Sequence, residues 1–240
     1  MKCAVKYGGK QSSVPRVKFL ILKDITNMLQ SAFPYLKWPN NCERLLKIVE
    51  GCWQEVQVKE VKWIRPPGNI FKLNTDGSAL GNPGQIGGGG ILRDSKGDIV
   101  YAFIIPLGTG TNNQAETLAA AHGIQWCLQH GFKRIILEID SELLTKWLSH
   151  RIKPLWSMQQ HISPLINTIS HLEFFQCRHT YRKVNSTADF LSKRSHKTDI
   201  VHHYYTYQQL PVEAKGSYLL EKMGMFNFRR KRLKRIKQPP

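Results

Sequence analysis

Seven of the seventeen residues in 74–90, NTDGSALGNPGQIGGGG, are glycine. Glycine loses the most backbone entropy on folding, so this density rules out a helix here and favours tight turns between extended segments. The flanks agree. IFKLNTD (70–76) alternates apolar and polar residues, placing Phe71, Leu73 and Thr75 on one face and Lys72, Asn74 and Asp76 on the other. That is the pattern of a half-buried strand. IGGGGILRD, the turn DSKGD (94–98) and IVYAFIIPL then complete an antiparallel meander of three strands.

The pattern changes after the meander. TNNQAETLAAAHGIQWCLQHG (111–131) carries a helical stripe of Ala120, Ala121, Ile124, Cys127 and Leu128, with Gly131 as its stop. KRIILEID (133–140) reads as a buried strand and SELLTKWLSH as a helix. WSMQQHISPLINTI is a second helix, interrupted or begun near Pro164. LEFFQCRHTY (172–181) is a strand and NSTADFLSKRS (185–195) a last helix. The order β-β-β-α-β-α-α-β-α implies an α/β fold, a mixed sheet with helices on both faces.

Charge divides the chain of 240 residues differently. The formal net charge of +18 splits as +7 over 1–68, +4 over 69–195 and +7 over 196–240. Basic ends around a more balanced centre point to a polyanionic partner, nucleic acid first. Residues 1–68 are expected to form a basic extension with short helices at VKFLILKDITNML and ERLLKIVEGCW, the second preceded by a capping-box-like Asn40-Asn41-Cys42-Glu43. WIRPPGN (63–69) cannot continue a helix and reads as a linker. Residues 196–240 are expected to be a flexible basic tail ending in RRKRLKRIK (229–237), which could also serve as a nuclear localisation signal. No apolar run approaches a membrane span. The five cysteines are scattered without a C-x-x-C pair, which argues for a reducing compartment and against zinc. Nucleus or cytoplasm is the expected address. The start has no acid before Asp24, so an organelle transit peptide is the alternative.

Four carboxylates stand out: Asp76 in TDGS, Glu116 in TNNQAE, Asp140 in LEIDS and Asp189 in NSTADFL. Each has an ordinary reading alone. Glu116 lies three residues after Asn113, as in a capping box; Asp140 precedes a helix; Asp189 sits in a first helical turn; Asp76 fits a turn. Together they fall at strand ends and helix starts, positions that converge on one edge of an α/β sheet. Carboxylates at close range repel unless divalent cations bridge them, and hard oxygen ligands select Mg2+, or Mn2+, over zinc. Such a cluster holding two ions suits in-line phosphodiester hydrolysis.

KLNTDGSALGNPG, TNNQAETLAA, LEIDSELL and HTYRKVNSTADFLSK, in this order, resemble the ribonuclease H family, in particular the type I domain associated with plant retroelement reverse transcriptases. The resemblance covers about residues 69–195. It implies a five-stranded mixed sheet in the order 3-2-1-4-5 and a two-metal site of Asp76, Glu116, Asp140 and Asp189. It also implies endonucleolytic cleavage of the RNA strand of RNA–DNA hybrids. His179 matches the family's mobile histidine, thought to assist proton transfer or product release. Asn112 and Asn113 match its loop that reads the hybrid's minor groove, where amides can meet 2′-hydroxyls. Gly77 and Ser78 fall where the backbone is expected to approach the nucleic acid, and on this reading the glycines keep side chains out of the way.

The chain departs from the family in places. Between Trp147 and Trp156 there is only LSHRIKPL, too short for the basic helix with which some members grip the hybrid, so the basic ends are expected to supply affinity. No reverse transcriptase palm motif is visible, which leaves a stand-alone monomer or a piece of a polyprotein that also carries a reverse transcriptase. The alternative function is a non-catalytic nucleic-acid-binding retroelement relic. Integrase-like or exonuclease chemistry on the same fold fits the carboxylate spacing less well.

Overall fold

The computed structural model describes residues 13–51 and 56–232. The organelle-signal reading of the extreme N-terminus, and residues 233–237 of the basic run, lie outside them. Two compact units are present, Met1–Val58 with Arg230–Pro240, and Lys59–Arg229.

The first unit contains α1 (Val14–Ala32) and α2 (Cys42–Gly51). Asn41 starts α2, its Oδ1 accepting from the amides of Glu43 at 2.9 Å and Arg44 at 3.3 Å. In α1 no residue is buried.

The second unit is built on a six-stranded sheet. Its strands are β2 (Phe71–Gly81), β3 (Gly84–Arg93), β4 (Ile99–Gly110), β5 (Arg134–Ile139), β6 (Phe174–His179) and β7 (His202–Tyr204). Their spatial order is β6-β5-β2-β3-β4-β7. The first three pair antiparallel as a meander, while β5 and β6 run parallel to β2. This is the expected 3-2-1-4-5 arrangement with one further strand, β7, added beside β4. β1 (Val56–Val61) and β8 (Asn227–Arg232) form a separate two-stranded sheet.

Helices cover both faces. α3 (Asn112–Gln129), α4 (Glu142–Leu148) and α5 (Trp156–Ile169) lie on one, over a core that includes Leu73, Leu92, Phe103, Ile124, Leu137 and Trp147. α6 (Ser186–Arg194) and α7 (Val212–Lys222) lie on the other, over Ile91, Ala102, Ile104, Leu191, Ala214 and Tyr218. Side chains alternate between the faces of a strand, which is why Leu92 and Ile91 serve different cores. α5 runs through Pro164 without interruption, contrary to expectation.

The glycines of β3 act inside the sheet and are not a loop. A Cβ on Gly88 would lie 2.7 Å from the Cβ of Ala119 in α3, and one on Gly89 would lie 2.4 Å from the amide nitrogen of Ser192 in α6. Both helices therefore press on the central strand, one from each side, closer than any side chain allows. β2 is likewise buried on both faces, not half-buried, because it is central and Lys72, Asn74 and Asp76 are covered by the α6 side.

Two segments read as linker and tail are structured. Trp63, in the Pro-Pro-Gly stretch, is buried and donates its indole N–H to Asn74 Oδ1 at 3.0 Å. Residues 196–232, expected to be flexible, contribute β7, α7 and β8. Leu210, Ala214 and Tyr218 supply enough apolar surface to dock α7.

Candidate active site

The site forms where β2 and β5 lie side by side and the N-terminal turns of α3 and α6 meet them. Asp76 is fully buried in the middle of β2, opposite Gly89 of β3. Asp140 follows the last residue of β5, and Ser141, not Asp140, caps α4 by accepting from the Leu144 amide at 3.2 Å. Glu116 lies in the second turn of α3. Thr111 is that helix's cap, in a reciprocal capping box with Gln114, so Glu116 and Asn113 are free of the capping role. Asp189 lies in the first turn of α6.

Carboxylate oxygens of Asp76, Glu116 and Asp140 all lie within 4.8 Å of one another. Asp189 is adjacent: its charge raises the pKa of Asp76, and Arg182 reaches Asp189 Oδ1 at 3.0 Å and Asp140 Oδ2 at 3.5 Å through Nε. Lys193 pairs with the other Asp189 oxygen at 2.5 Å. Ser192 donates its hydroxyl to Asp76 Oδ2.

The local sequence makes this crowding feasible. At Gly77 a Cβ would sit 2.2 Å from the Glu116 amide nitrogen, so only glycine lets α3 begin against β2. The same contact brings the Gly77 amide into a hydrogen bond with the Glu116 carboxylate.

Electrostatics follow from the packing. Burial, then the Asp140 charge, push Asp76 up to about 7, against the opposing hydrogen bond from Ser192. Burial, then Asp76 and Asp140, push Glu116 well above the usual carboxylate range. One oxygen on each of three residues is buried without a partner, Asp76 Oδ1, Glu116 Oε2 and Asp140 Oδ1, whereas Asp189 Oδ1 meets only the Arg182 guanidinium. Orphaned buried acceptors are costly and rare, and three of them gathered on anionic groups match the donor set of a hard divalent cation.

The other expected residues are placed as follows. Asn112 is exposed and Asn113 partly so at the start of α3, where the Asn112 amide donates to Asn82 Oδ1 at 3.2 Å. Gly77 is covered by Ala115 and Glu116. The Ser78 hydroxyl donates to the Ser192 carbonyl at 2.8 Å and also meets His196 Nε2 at 2.9 Å. His179 is exposed at the end of β6, edge-on to Tyr181 and in the same groove as Asp140.

The profile of the family described as "Reverse transcriptase-like" matches residues 74–195, half of the chain and all four carboxylates. The chain belongs to this family, through a ribonuclease H domain. An Arabidopsis thaliana protein provisionally named as a ribonuclease H protein is 27% identical over 187 residues, 78% of this chain and 30% of that protein. A Cyanothece protein named ribonuclease H is 32% identical over 102 residues, 41% of this chain and 64% of that protein. The chain thus spans less than two thirds of either relative. The crystal structure of RNase H1 from the archaeon Halobacterium salinarum superposes with a TM-score of 0.52 at 26% identity, covering 53% of this chain and 98% of that one.

Two further site residues lie inside the motif HTYRKVNSTADFLSK without standing out from it as candidates. Arg182 precedes Asp189 in a short 3-10 turn, and Ser192 follows it in α6. Beneath Asp76, the same strand face holds a buried polar network. Lys72 Nζ donates to Glu138 Oε1 at 2.6 Å, Asn74 Nδ2 to Glu138 Oε2 at 3.2 Å, and Arg93 Nη2 to Asn74 Oδ1 at 2.7 Å. The Trp63 ring lies under the Arg93 guanidinium, 3.9 Å away.

Proposed function

We propose that this protein is a divalent-metal-dependent endonuclease that hydrolyses the RNA strand of RNA–DNA hybrids. The observation that carries the reading is the set of three buried, unpartnered carboxylate oxygens, on Asp76, Glu116 and Asp140, the residues drawn within 4.8 Å of one another. Asp76, Glu116, Asp140 and Asp189 would hold two Mg2+ ions, or Mn2+, and these when bound supply charge stabilisation for an in-line displacement at phosphorus and an activated water. Asp76, the most buried of the four, would be the shared ligand. Gly77 and Ser192 steady Glu116 and Asp76 by donating hydrogen bonds to them. His179, exposed in the groove that Asp140 also lines, would move a proton there or help product leave. The side chains of Asn112 and Asn113 would meet the minor groove, where an amide both donates to and accepts from a 2′-hydroxyl. Names of relatives support the substrate class, since they are ribonuclease H proteins.

One contact favours a second reading, nucleic-acid binding without cleavage: Arg182 already brings a cation to Asp140 and Asp189. A single assay separates the two. Hybrid, duplex RNA and duplex DNA are offered to the wild-type chain and to Asp76→Asn, with Mg2+, with Mn2+ and with chelator. The hydrolase reading expects metal-dependent cleavage of the hybrid by wild type only, with hybrid binding kept in the variant. Wild-type-like cleavage by a folded Asp76→Asn protein sinks the metal assignment, and binding without cleavage under every condition favours the second reading.

A further inference from the structure

A groove of about 630 Å3 opens beside the carboxylates, and part of its wall comes from beyond the segment matched by the family. Asp140 and His179 line one end, and Arg151, Tyr181, Lys183 and Arg229 line the rest. The charges in it are unevenly matched. Glu142 is paired with Lys146 at 2.8 Å, and Asp140 faces Arg182. Arg151, Lys183 and Arg229 take part in no ion pair among the described residues. These three come from separate places: the segment after α4, the 3-10 turn before α6, and β8.

Arg229 is held in place. Its guanidinium lies 4.1 Å from the centre of the Tyr181 ring, and Lys59 of β1 lies 5.7 Å from the same ring. Lys183 Nζ donates to the Phe228 carbonyl at 2.9 Å, fastening the 3-10 turn to β8. A guanidinium stacked on a ring uses its face and leaves its in-plane N–H groups for an acceptor, at reduced entropic cost. Cations without acidic partners in a groove raise the local concentration of polyanions. Tyr181 immediately precedes Arg182, which touches Asp140 and Asp189, so the cationic wall begins where the carboxylates end.

We propose that this groove seats the phosphodiester backbone of the nucleic-acid strand that crosses the carboxylates, gripped by Arg229, Lys183 and Arg151, with Tyr181 fixing Arg229. Three cations from three elements suit repeated phosphates of one strand. β8 and the loop after α4 thereby supply a grip for which LSHRIKPL is too short to form a helix. The inference rests on the hydrolase reading for which strand lies there.

The test is binding of a fluorescently labelled RNA–DNA hybrid to the full chain in chelator, by anisotropy across a salt series. Arg229→Ala, Arg229→Lys and, as a control of equal charge change outside the groove, Lys96→Ala are compared with wild type. Arg229→Ala should weaken binding roughly 5- to 10-fold at low salt and reduce the slope of log affinity against log salt by about 0.7 to 0.9, the loss of one phosphate contact. Arg229→Lys should keep the slope and lose part of the affinity, because an ammonium stacks poorly. Equal behaviour of Arg229→Ala and Lys96→Ala overturns the proposal, as does a wild-type chain that binds no hybrid. Metal-supported cleavage by wild type is measured alongside. Its absence counts against the hydrolase reading, while the salt slopes still decide the groove.

Discussion

Glu221 of α7 takes both protons that Thr187 offers at the start of α6, the amide at 3.0 Å and the hydroxyl at 2.8 Å. The same carboxylate accepts from Arg93 Nη1 at 2.8 Å, with both side chains buried. The helix that carries Asp189 is therefore anchored by a residue outside the family-matched segment.

Replacing Glu221 with Gln leaves the Arg93 charge buried without an opposing one. Breaking a buried pair on one side costs about 3 to 5 kcal/mol. We expect a lower urea midpoint by that measure and faster hydrogen exchange at the Thr187 amide. Unchanged values in both would show that Glu221 only fills space.

Gly89→Ala sets a methyl group 2.4 Å from the Ser192 amide nitrogen and 2.5 Å from the Leu191 carbonyl carbon, both backbone atoms. The helix must shift, at about 1 to 3 kcal/mol or more. Gly68→Ala, with nothing within 4 Å, is the matched control and should unfold like wild type. Thermal unfolding of the pair measures the difference.

The metal-free protein should lose stability as pH rises from 3.8 to about 7, the interval between the ordinary and the folded pKa of Asp76. Within it the native carboxyl keeps a proton that the unfolded chain has released, so raising the pH favours unfolding, by about 4 kcal/mol over the full interval. Glu116, shifted in the same direction, adds to the trend. Calorimetry in chelator should show the unfolding temperature falling across this range, less steeply in Asp76→Asn. Excess Mg2+ should offset the fall in wild type.

Arg182→Ala removes the cation that faces Asp140 and Asp189. Divalent-cation affinity by titration calorimetry should tighten about 3- to 10-fold, since a tethered charge no longer competes at close range. Weaker binding would mean that Arg182 organises the carboxylates instead of competing for them.

The four carboxylates and the succession of strands and helices are legible because they sit in local motifs and in runs whose period shows directly, whereas the strand order follows only from the likeness to the ribonuclease H family. The alternation of β2 misled on one point. Lys72 and Asn74 look like solvent-facing residues, yet each is satisfied inside by Glu138, 66 and 64 residues away. Pairing over such distances leaves no trace in a local pattern. The glycines of β3 were ambiguous for a related reason: a turn and a helix pressed on a strand ask for the same missing Cβ, and only Ala119, Leu191 and Ser192 tell them apart. In the C-terminal segment Leu210, Ala214 and Tyr218 do recur at helical spacing, but the nearby basic run dominated its composition.

β7 touches β4 through only three residue pairs, Ala102 with Tyr204, Phe103 with His203 and Ile104 with His202. Short as it is, it covers the outer row of amides and carbonyls at the most apolar part of that strand. A chain cut after residue 195 would bare this row, and an unprotected apolar edge recruits the same edge of another molecule. Such a fragment should precipitate or form soluble aggregates before any activity could be asked of it. A boundary drawn from family likeness is thus a poor place to divide this molecule for expression, and the shortest soluble form should run through β7 and on to Glu221.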